Sequence, residues 1–170
     1  CKAHLELLDS ERLDPDSRNI FGMLMSRTSD ETLLMRSLRL LSGMLETHYG
    51  RKAVILIDEY DSPLNGAYGA GIQNQILALV RELLTSALKG NSSLRLGVVT
   101  GVMQIAKESI FGGLNNMRVN NILSKDVDEM FGFTPEEVGR LCSDFGHPER
   151  FDEAQEWYDG YRFGEADIYN

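Results

Sequence analysis

Three acidic residues follow directly on a short aliphatic run in the first half of the chain. The segment AVILIDEYD covers residues 53–61 and places Asp58, Glu59 and Asp61 after five consecutive apolar residues. An unbroken apolar run of this length predicts a strand buried on both faces of a parallel sheet. Ligands of such sheets bind beyond the carboxyl ends of the strands, which is where the sequence places these acids.

Four apolar residues followed by Asp-Glu have the form of a Walker B element. In that element the Asp helps to hold Mg²⁺ on nucleotide phosphates and the Glu orients or deprotonates the attacking water. The pattern therefore assigns Asp58 to Mg²⁺ and Glu59 to water. Thr100 ends a second apolar run, LGVVT, and would hydrogen-bond that water or the terminal phosphate from the adjacent strand. The residues alone leave open the alternative that the acids only end a strand and face solvent.

The phosphate-binding half of such a site does not occur in these 170 residues. A P-loop requires G-x-x-x-x-G-K-[ST], whose backbone amides surround the phosphates, and no such run is present. The glycines at 66, 69 and 71 are not followed by Lys-Ser or Lys-Thr and indicate a flexible loop. Because Cys1 stands inside a predicted helix, we expect the chain to be part of a longer protein.

Helices are predicted on the amino-terminal side of the acidic strand. Thr28 followed by Glu31 fits a capping box, leucines then recur at helical spacing, and Gly50 is expected to end that helix. Residues 2–27 predict two short helices around a DPDS turn at 14–17.

Helices and strands continue to alternate beyond the acids, which predicts an α/β domain with a parallel sheet. An apolar helical stripe runs from Ile72 to Leu88, and LRLGVVTG indicates a second strand. VMQIAKESIFGGLNN is expected to begin as a helix and to stop at Gly112 and Gly113, and MRVNNIL at 117–123 indicates a third strand.

The remaining part of the chain, beyond about residue 125, is acidic and mostly helical in pattern. FTPEEV predicts a helix with Thr134 as its N-cap, Pro135 at the first helical position and two glutamates in the first turn. A second helix is expected through Phe151 and Trp157, and YDGYRFGEADIYN predicts a hairpin.

Composition and charge argue against several classes of partner. Lys and Arg number 17 and Asp and Glu 26, so the formal charge of −9 opposes approach to nucleic acid or to anionic membranes. Cys1 and Cys142 form no C-x-x-C pair, and no apolar run reaches the roughly 18 residues of a membrane span. We therefore expect a cytoplasmic protein. The histidines lack metal-ligand spacing, and His48 is expected to pack or to be hydrogen-bonded near a helix end.

Four segments together resemble the predicted AAA-ATPase, or AAA-ATPase-like, proteins of bacteria and archaea: VILIDEYDSPLNGAY, VVTGVMQIAKESIFGGLNN, FGFTPEEV and WYDGYRFGEADIYN. The resemblance implies a P-loop NTPase-like parallel sheet flanked by helices, with a partial core at 1–124 and a small helical lid with a hairpin at 125–170. It also implies a P-loop upstream of Cys1 and, in many full-length members, a nuclease-like domain beyond Asn170.

The resemblance also implies roles for individual residues. Asp58 and Glu59 match the Walker B acids, and Thr100 matches the sensor-strand position. Asp61 matches a second acid of the family and is a candidate nucleotide-binding residue. Arg118 and Arg162 are candidates to stabilise charge on the γ-phosphate, with surface ion pairs as the alternative. The KESIFGGLNN motif supplies the candidate nucleotide-binding residues Lys107, Asn115 and Asn116. The aromatic residues Phe111, Trp157, Tyr158, Tyr161 and Phe163 are expected to serve packing.

The function expected from these patterns is an ATP-binding and ATP-hydrolysing module that uses Mg²⁺, with nucleotide as its partner and the oligomeric state open. Without a P-loop, the fragment is not expected to hydrolyse ATP alone. The alternative is a nucleotide-sensing or scaffold domain that does not hydrolyse ATP. A nuclease using the acids of residues 58–61 is disfavoured, because no D-x-K or E-x-K occurs in the chain.

Overall fold

The chain forms two units, Cys1–Asn115 and Asn116–Asn170, whereas the sequence placed a boundary near residue 125. The computed structural model describes residues 2–26, 30–67, 69, 71–102, 117–158 and 160–169. Helices and a parallel strand pair occur together in the first unit, so the mixed α/β class expected from the sequence is confirmed. The more specific P-loop NTPase-like sheet stays a prediction. None of the helices in the described ranges is long and apolar enough to cross a membrane.

The first unit begins with a 3₁₀ segment, Lys2–Asp9, and helix α1, Pro15–Ser26. The predicted DPDS turn is in fact the start of α1. Asp14 accepts a hydrogen bond from the backbone N–H of Ser17 at 2.8 Å, and a proline at the first helical position lacks the N–H that would otherwise be unpaired there. A buried apolar cluster joins these helical segments to the next helix: Leu7, Leu13, Phe21 and Met44.

Helix α2, Glu31–Tyr49, begins with a different cap from the one expected. Asp30 is the N-cap, and its side chain accepts a hydrogen bond from the backbone N–H of Leu33 at 2.7 Å. The capping box predicted from Thr28 is therefore wrong, since a carboxylate closer to the helix takes that place; Thr28 itself lies outside the described residues. The helix ends at Gly50 as expected, because its left-handed φ of 70° suits glycine.

Two parallel strands carry the candidate residues at their carboxyl ends. Strand β1, Ala53–Ile57, pairs with β2, Leu94–Val99. Between them lie the short helix α3, Ser62–Gly66, and helix α4, Gln73–Leu88. Leu64 of α3 is buried with residues of α4, and Ile57 packs against that cluster. The register pairs Ile57 with Val99, so the two strand ends lie beside each other.

Within the part of the chain that the structure describes, one face of the strand pair is buried and the other is exposed. Ile55 is 8% exposed, whereas Leu56, the next residue of β1, is 73% exposed. The cross-strand register aligns Val54 with Leu96 and Leu56 with Val98, so four exposed apolar side chains share the second face. The expectation of a strand buried on both faces is therefore wrong for this chain.

The second unit contains no strand at 117–123, contrary to the sequence-based expectation. Asn121 Oδ1 accepts a hydrogen bond from the backbone N–H of Leu123 at 2.9 Å, and Ser124 Oγ accepts one from the Asn121 N–H at 3.0 Å. These local side-chain bonds compete with strand pairing and form a turn.

The remaining elements of the second unit agree with the sequence. Helix α5, Pro135–Asp144, begins with the expected N-cap, in which Thr134 and Glu137 form a reciprocal capping box. Helix α6 covers Phe151–Tyr158. The expected hairpin pairs two antiparallel strands, β3 at Tyr161–Phe163 and β4 at Ala166–Ile168.

The aromatic residues expected to pack behave differently from one another. Trp157 is 76% exposed, so the prediction that it serves packing is wrong. Tyr158 and Tyr161 are also exposed, while Phe163 is half-buried and makes an edge contact with the ring of Tyr161 at 6.2 Å between centroids. Phe111 lies outside the described residues.

Candidate functional site

The two parallel strands remain hydrogen-bonded beyond their last regular residues. The backbone N–H of Thr100 donates to the carbonyl of Ile57 at 2.8 Å, and the N–H of Tyr60 donates to the carbonyl of Thr100 at 3.0 Å. Parallel register therefore continues into the turn that carries the acids, and residues that lie far apart in the sequence meet at one sheet edge.

Asp58, Glu59 and Thr100 form a single hydrogen-bonded group at that edge. The Thr100 hydroxyl donates to Oδ1 of Asp58. The backbone N–H of Glu59 lies 3.1 Å from the same oxygen and 3.3 Å from Oγ1 of Thr100. All three residues are exposed, so their polar atoms are accessible to a ligand.

Glu59 occupies an unusual backbone conformation. Its φ is +50°, and among the described residues it is the one non-glycine with a positive φ. Such a conformation costs a non-glycine residue about 1–3 kcal/mol, and it persists where surrounding contacts enforce it. Here the backbone N–H of Glu59 is directed at Asp58 and Thr100. These contacts fix the backbone of Glu59, from which its side chain extends.

Asp61 lies close to this group but its carboxylate is directed elsewhere. Asp61 is only 2% exposed, and its Oδ2 accepts a hydrogen bond from the backbone N–H of Val102 at 3.0 Å. Between Thr100 and Val102, Gly101 leaves no room for a side chain: an added Cβ would lie 2.6 Å from Cδ1 of Tyr60 and 2.9 Å from Oδ1 of Asp61. Asp61 therefore faces the backbone of the neighbouring strand end.

Tyr60 separates the exposed acids from the buried one. Burial raises the pKa of the Tyr60 phenol above its ordinary value, and the nearby charge of Asp61 raises it further. Both effects disfavour a second negative charge beside Asp61. The phenol is therefore protonated near neutral pH, and it is not a candidate base.

The exposed acids suit a cation that brings most of its own ligands. Mg²⁺ binds carboxylate oxygens, retains several waters and is typically held by one or two carboxylates together with substrate phosphates. Asp58 offers such a carboxylate, because its described hydrogen bonds both involve Oδ1 and the residue is exposed. Within the described ranges no group of three or more His, Cys, Asp or Glu residues is arranged to hold a metal. Of the exposed acids, Asp58 is thus the one whose carboxylate could help to hold such a cation.

The other predicted site residues are not brought to this edge by any described contact. Arg118 pairs with Asp126, and Arg162 lies 3.5 Å from Asp167, with all four side chains largely exposed and in the second unit. These are the surface ion pairs that the sequence left as the alternative, and the catalytic roles of both arginines stay predictions. Three further candidates lie outside the described residues: Lys107, Asn115 and Asn116.

The sequence did not indicate the contribution of the backbone after Thr100. Gly101 admits Tyr60 and Asp61 against the chain, and the N–H of Val102 binds the buried carboxylate. A glycine at the end of the predicted strand LRLGVVTG was the available signal, since glycine in such positions often allows another group to approach the backbone closely.

A second polar cluster lies at the end of α2. Oγ of Ser10 lies 2.7 Å from Nδ1 of His48, and the Tyr49 hydroxyl donates to Glu6 at 2.6 Å. The Tyr49 hydroxyl holds the pKa of the Glu6 carboxyl below its ordinary value. These bonds fasten the 3₁₀ segment to α2, and they confirm that His48 is hydrogen-bonded near its helix end.

Comparison with known proteins identifies a family for this chain. Residues 10–111 match a family model described as predicted AAA-ATPase. An uncharacterized protein in the vnfD 5' region of Azotobacter chroococcum mcd 1 is 29% identical over 122 residues, which are 71% of this chain and 23% of that protein. The chain thus matches less than a quarter of that relative's length. No solved structure matches the chain significantly.

Proposed function

The chain belongs to the predicted AAA-ATPase family, and we propose that it supplies the magnesium and water side of an ATP-hydrolysing site within a longer protein. The observation that carries this proposal is the exposed group formed by Asp58, Glu59 and Thr100 at the ends of β1 and β2. It joins two acids and a hydroxyl at the sheet edge where parallel α/β folds bind ligands.

Each residue of the group has one task in the proposed site. Asp58 would hold Mg²⁺ through a carboxylate oxygen, and the cation, when bound, neutralises charge on the nucleotide phosphates. Thr100 orients the Asp58 carboxylate, because its hydroxyl donates to Oδ1. Glu59 positions the attacking water and accepts its proton. The proposed base is exposed, so water reaches it directly.

The remaining parts of the site are proposed to lie outside the described group. No P-loop sequence occurs in residues 1–170, so the phosphate-binding amides would come from elsewhere in the longer protein. Arg118, Arg162, Lys107, Asn115 and Asn116 remain candidates for nucleotide contact. A nuclease-like domain in the same polypeptide is a further proposal, and the charge of −9 favours no direct nucleic-acid contact by this segment.

The test is Glu59→Gln in the full-length protein that contains this chain. The variant should bind Mg-ATP like the unmodified protein while its hydrolysis rate falls by about 10²–10⁴-fold, as expected when a general base is removed. Glu82→Gln is the matched control, because Glu82 is an exposed acid on α4, and it should leave hydrolysis unchanged. Unaltered turnover in Glu59→Gln would contradict the proposed base.

The same measurement addresses the second candidate, a nucleotide-sensing domain without turnover. That function predicts that the unmodified protein binds Mg-ATP but hydrolyses none of it, and that Glu59→Gln leaves biological activity intact. Binding is measured by titration calorimetry, and hydrolysis by release of inorganic phosphate. Hydrolysis that depends on Glu59 would exclude the sensing-only alternative.

A further inference from the structure

Asp61 is the one acid of the segment 58–61 whose side chain is buried. Charged carboxylates are rarely buried unless hydrogen bonds compensate for the lost hydration. Part of that compensation comes from the backbone N–H of Val102, which donates to Oδ2 at 3.0 Å. A hydrogen bond to a charged group is among the stronger ones in proteins. Asp61 is therefore firmly attached to the segment that follows β2.

The other end of Asp61 is attached to the core of the first unit. Its backbone carbonyl accepts hydrogen bonds from the N–H groups of Leu64 at 2.9 Å and Asn65 at 3.2 Å, and these bonds begin α3. Leu64 is 5% exposed and is buried together with Val80 and Leu84 of α4. Asp61 thus connects a fixed point in the core to the end of β2.

The attachment point lies two residues beyond Thr100. Gly101 is the intervening residue, and Tyr60 and Asp61 pack so closely on it that a Cβ would overlap the Tyr60 ring. The bond from Val102 to Asp61 restrains the chain directly after Thr100, whose own N–H and carbonyl are bonded to Ile57 and Tyr60. Loss of the bond to Asp61 would remove one of the restraints on the strand end that carries the Thr100 hydroxyl, which donates to Oδ1 of Asp58.

We propose that Asp61 is a positioning residue that holds the end of β2 through Val102 and thereby keeps the Thr100 hydroxyl on Asp58. This inference rests on the proposed function, because its consequence for catalysis presupposes ATP hydrolysis. It also replaces the role expected from the sequence, in which Asp61 contacts the nucleotide. A buried carboxylate directed at a backbone N–H is poorly placed to be a metal ligand.

The experiment compares three variants of the full-length protein. Asp61→Asn keeps a side-chain oxygen that can accept from Val102, Asp61→Ala removes it, and Gly101→Ala forces Tyr60 and Asp61 away from the chain. In Asp61→Ala and Gly101→Ala we expect kcat to fall by about 10-fold or more while KM for ATP changes by less than about 3-fold, because the change affects the chemical step. Asp61→Asn should restore most of kcat without a higher Mg²⁺ requirement.

Hydrogen exchange of the segment 94–102 in the same variants provides a readout that does not depend on ATP hydrolysis. The segment should exchange faster in Asp61→Ala than in the unmodified protein and Asp61→Asn, at a temperature well below the melting temperature of every variant. Equal losses of kcat in Asp61→Asn and Asp61→Ala, together with a raised Mg²⁺ requirement, would overturn the proposal in favour of a metal ligand. Unchanged kcat and exchange in Asp61→Ala would also overturn it.

Failure of the proposed function gives a different result. If the unmodified protein does not hydrolyse ATP, the catalytic assignment fails, whereas the exchange data still decide whether Asp61 holds Val102. If the protein hydrolyses ATP but Asp61→Ala retains full kcat, the catalytic assignment stands and the positioning role is wrong.

Discussion

The hydroxyl of Thr100 donates a hydrogen bond to the carboxylate of Asp58, which lies 42 positions earlier in the chain. The bond crosses from the end of one parallel strand to the end of its neighbour. It directs one carboxylate oxygen of Asp58 towards the protein and leaves the exposed side chain otherwise open to solvent. In the proposed site, this contact would fix the orientation of the Asp58 carboxylate before Mg²⁺ binds.

The first prediction concerns the Thr100 hydroxyl. Thr100→Val removes the donor to Asp58 at nearly constant volume, and Thr100→Ser keeps it. In the full-length protein we expect Thr100→Val to lower ATP turnover by about 10-fold or more, because a hydrogen bond to a charged group contributes about 1.5–3 kcal/mol. Thr100→Ser should retain most of the activity. Phosphate release measures both. Equal activity of the two variants would show that the hydroxyl does not matter.

The meeting of Asp58, Glu59 and Thr100 could be predicted from the sequence because it depends on simple geometry. Apolar runs predicted both strands, and a helical stripe between them predicted the parallel connection. Polar residues that end two neighbouring parallel strands must then lie at the same edge. The family resemblance was not needed for that step.

The orientation of Asp61 could not be predicted in the same way. It depends on the backbone N–H of Val102, which is 41 positions away, and on the absence of a side chain at Gly101. Every residue except proline has a backbone N–H, so the sequence does not indicate which of them will donate to a given carboxylate. The prediction of the α2 N-cap was wrong for a related reason. Asp30 and Thr28 are both residue types that favour the N-cap position, and only the exact start of the helix decides between them.

The second prediction concerns the positive φ of Glu59. Glycine adopts this conformation without the steric cost that any Cβ incurs. We expect the 170-residue chain with Glu59→Gly to be more stable by about 1 kcal/mol than the chain with Glu59→Ala, which lacks the carboxylate but keeps the Cβ. Urea denaturation measures the difference. A Gly variant less stable than the Ala variant would show that the conformation carries no strain.

The third prediction compares adjacent residues of β1. Ile55 is 8% exposed and Leu56 is 73% exposed. In the 170-residue chain, Ile55→Ala should lower the free energy of unfolding by about 2–4 kcal/mol, because it leaves a cavity. Leu56→Ala should cost less than about 1 kcal/mol. Denaturant midpoints, compared at an unchanged denaturant slope, measure the loss of unfolding free energy in both variants. Equal losses would show that the second sheet face is covered in solution.

The fourth prediction concerns pH and the Glu137 carboxylate. Hydrogen bonds from the backbone N–H and then the hydroxyl of Thr134 hold the pKa of Glu137 below its ordinary value of 4.5. Because the folded-state pKa is lower than the unfolded one, this contact stabilises the protein above about pH 4.5, and the stabilisation is lost as the pH falls through the folded-state pKa. Thr134→Ala should raise the pKa of Glu137 only part of the way towards 4.5, because it removes the hydroxyl and keeps the backbone N–H, whereas Thr134→Ser should leave the pKa low. NMR titration of the Glu137 carboxyl carbon gives each value directly. A pKa at or above 4.5 in the unmodified chain would contradict the capping contact.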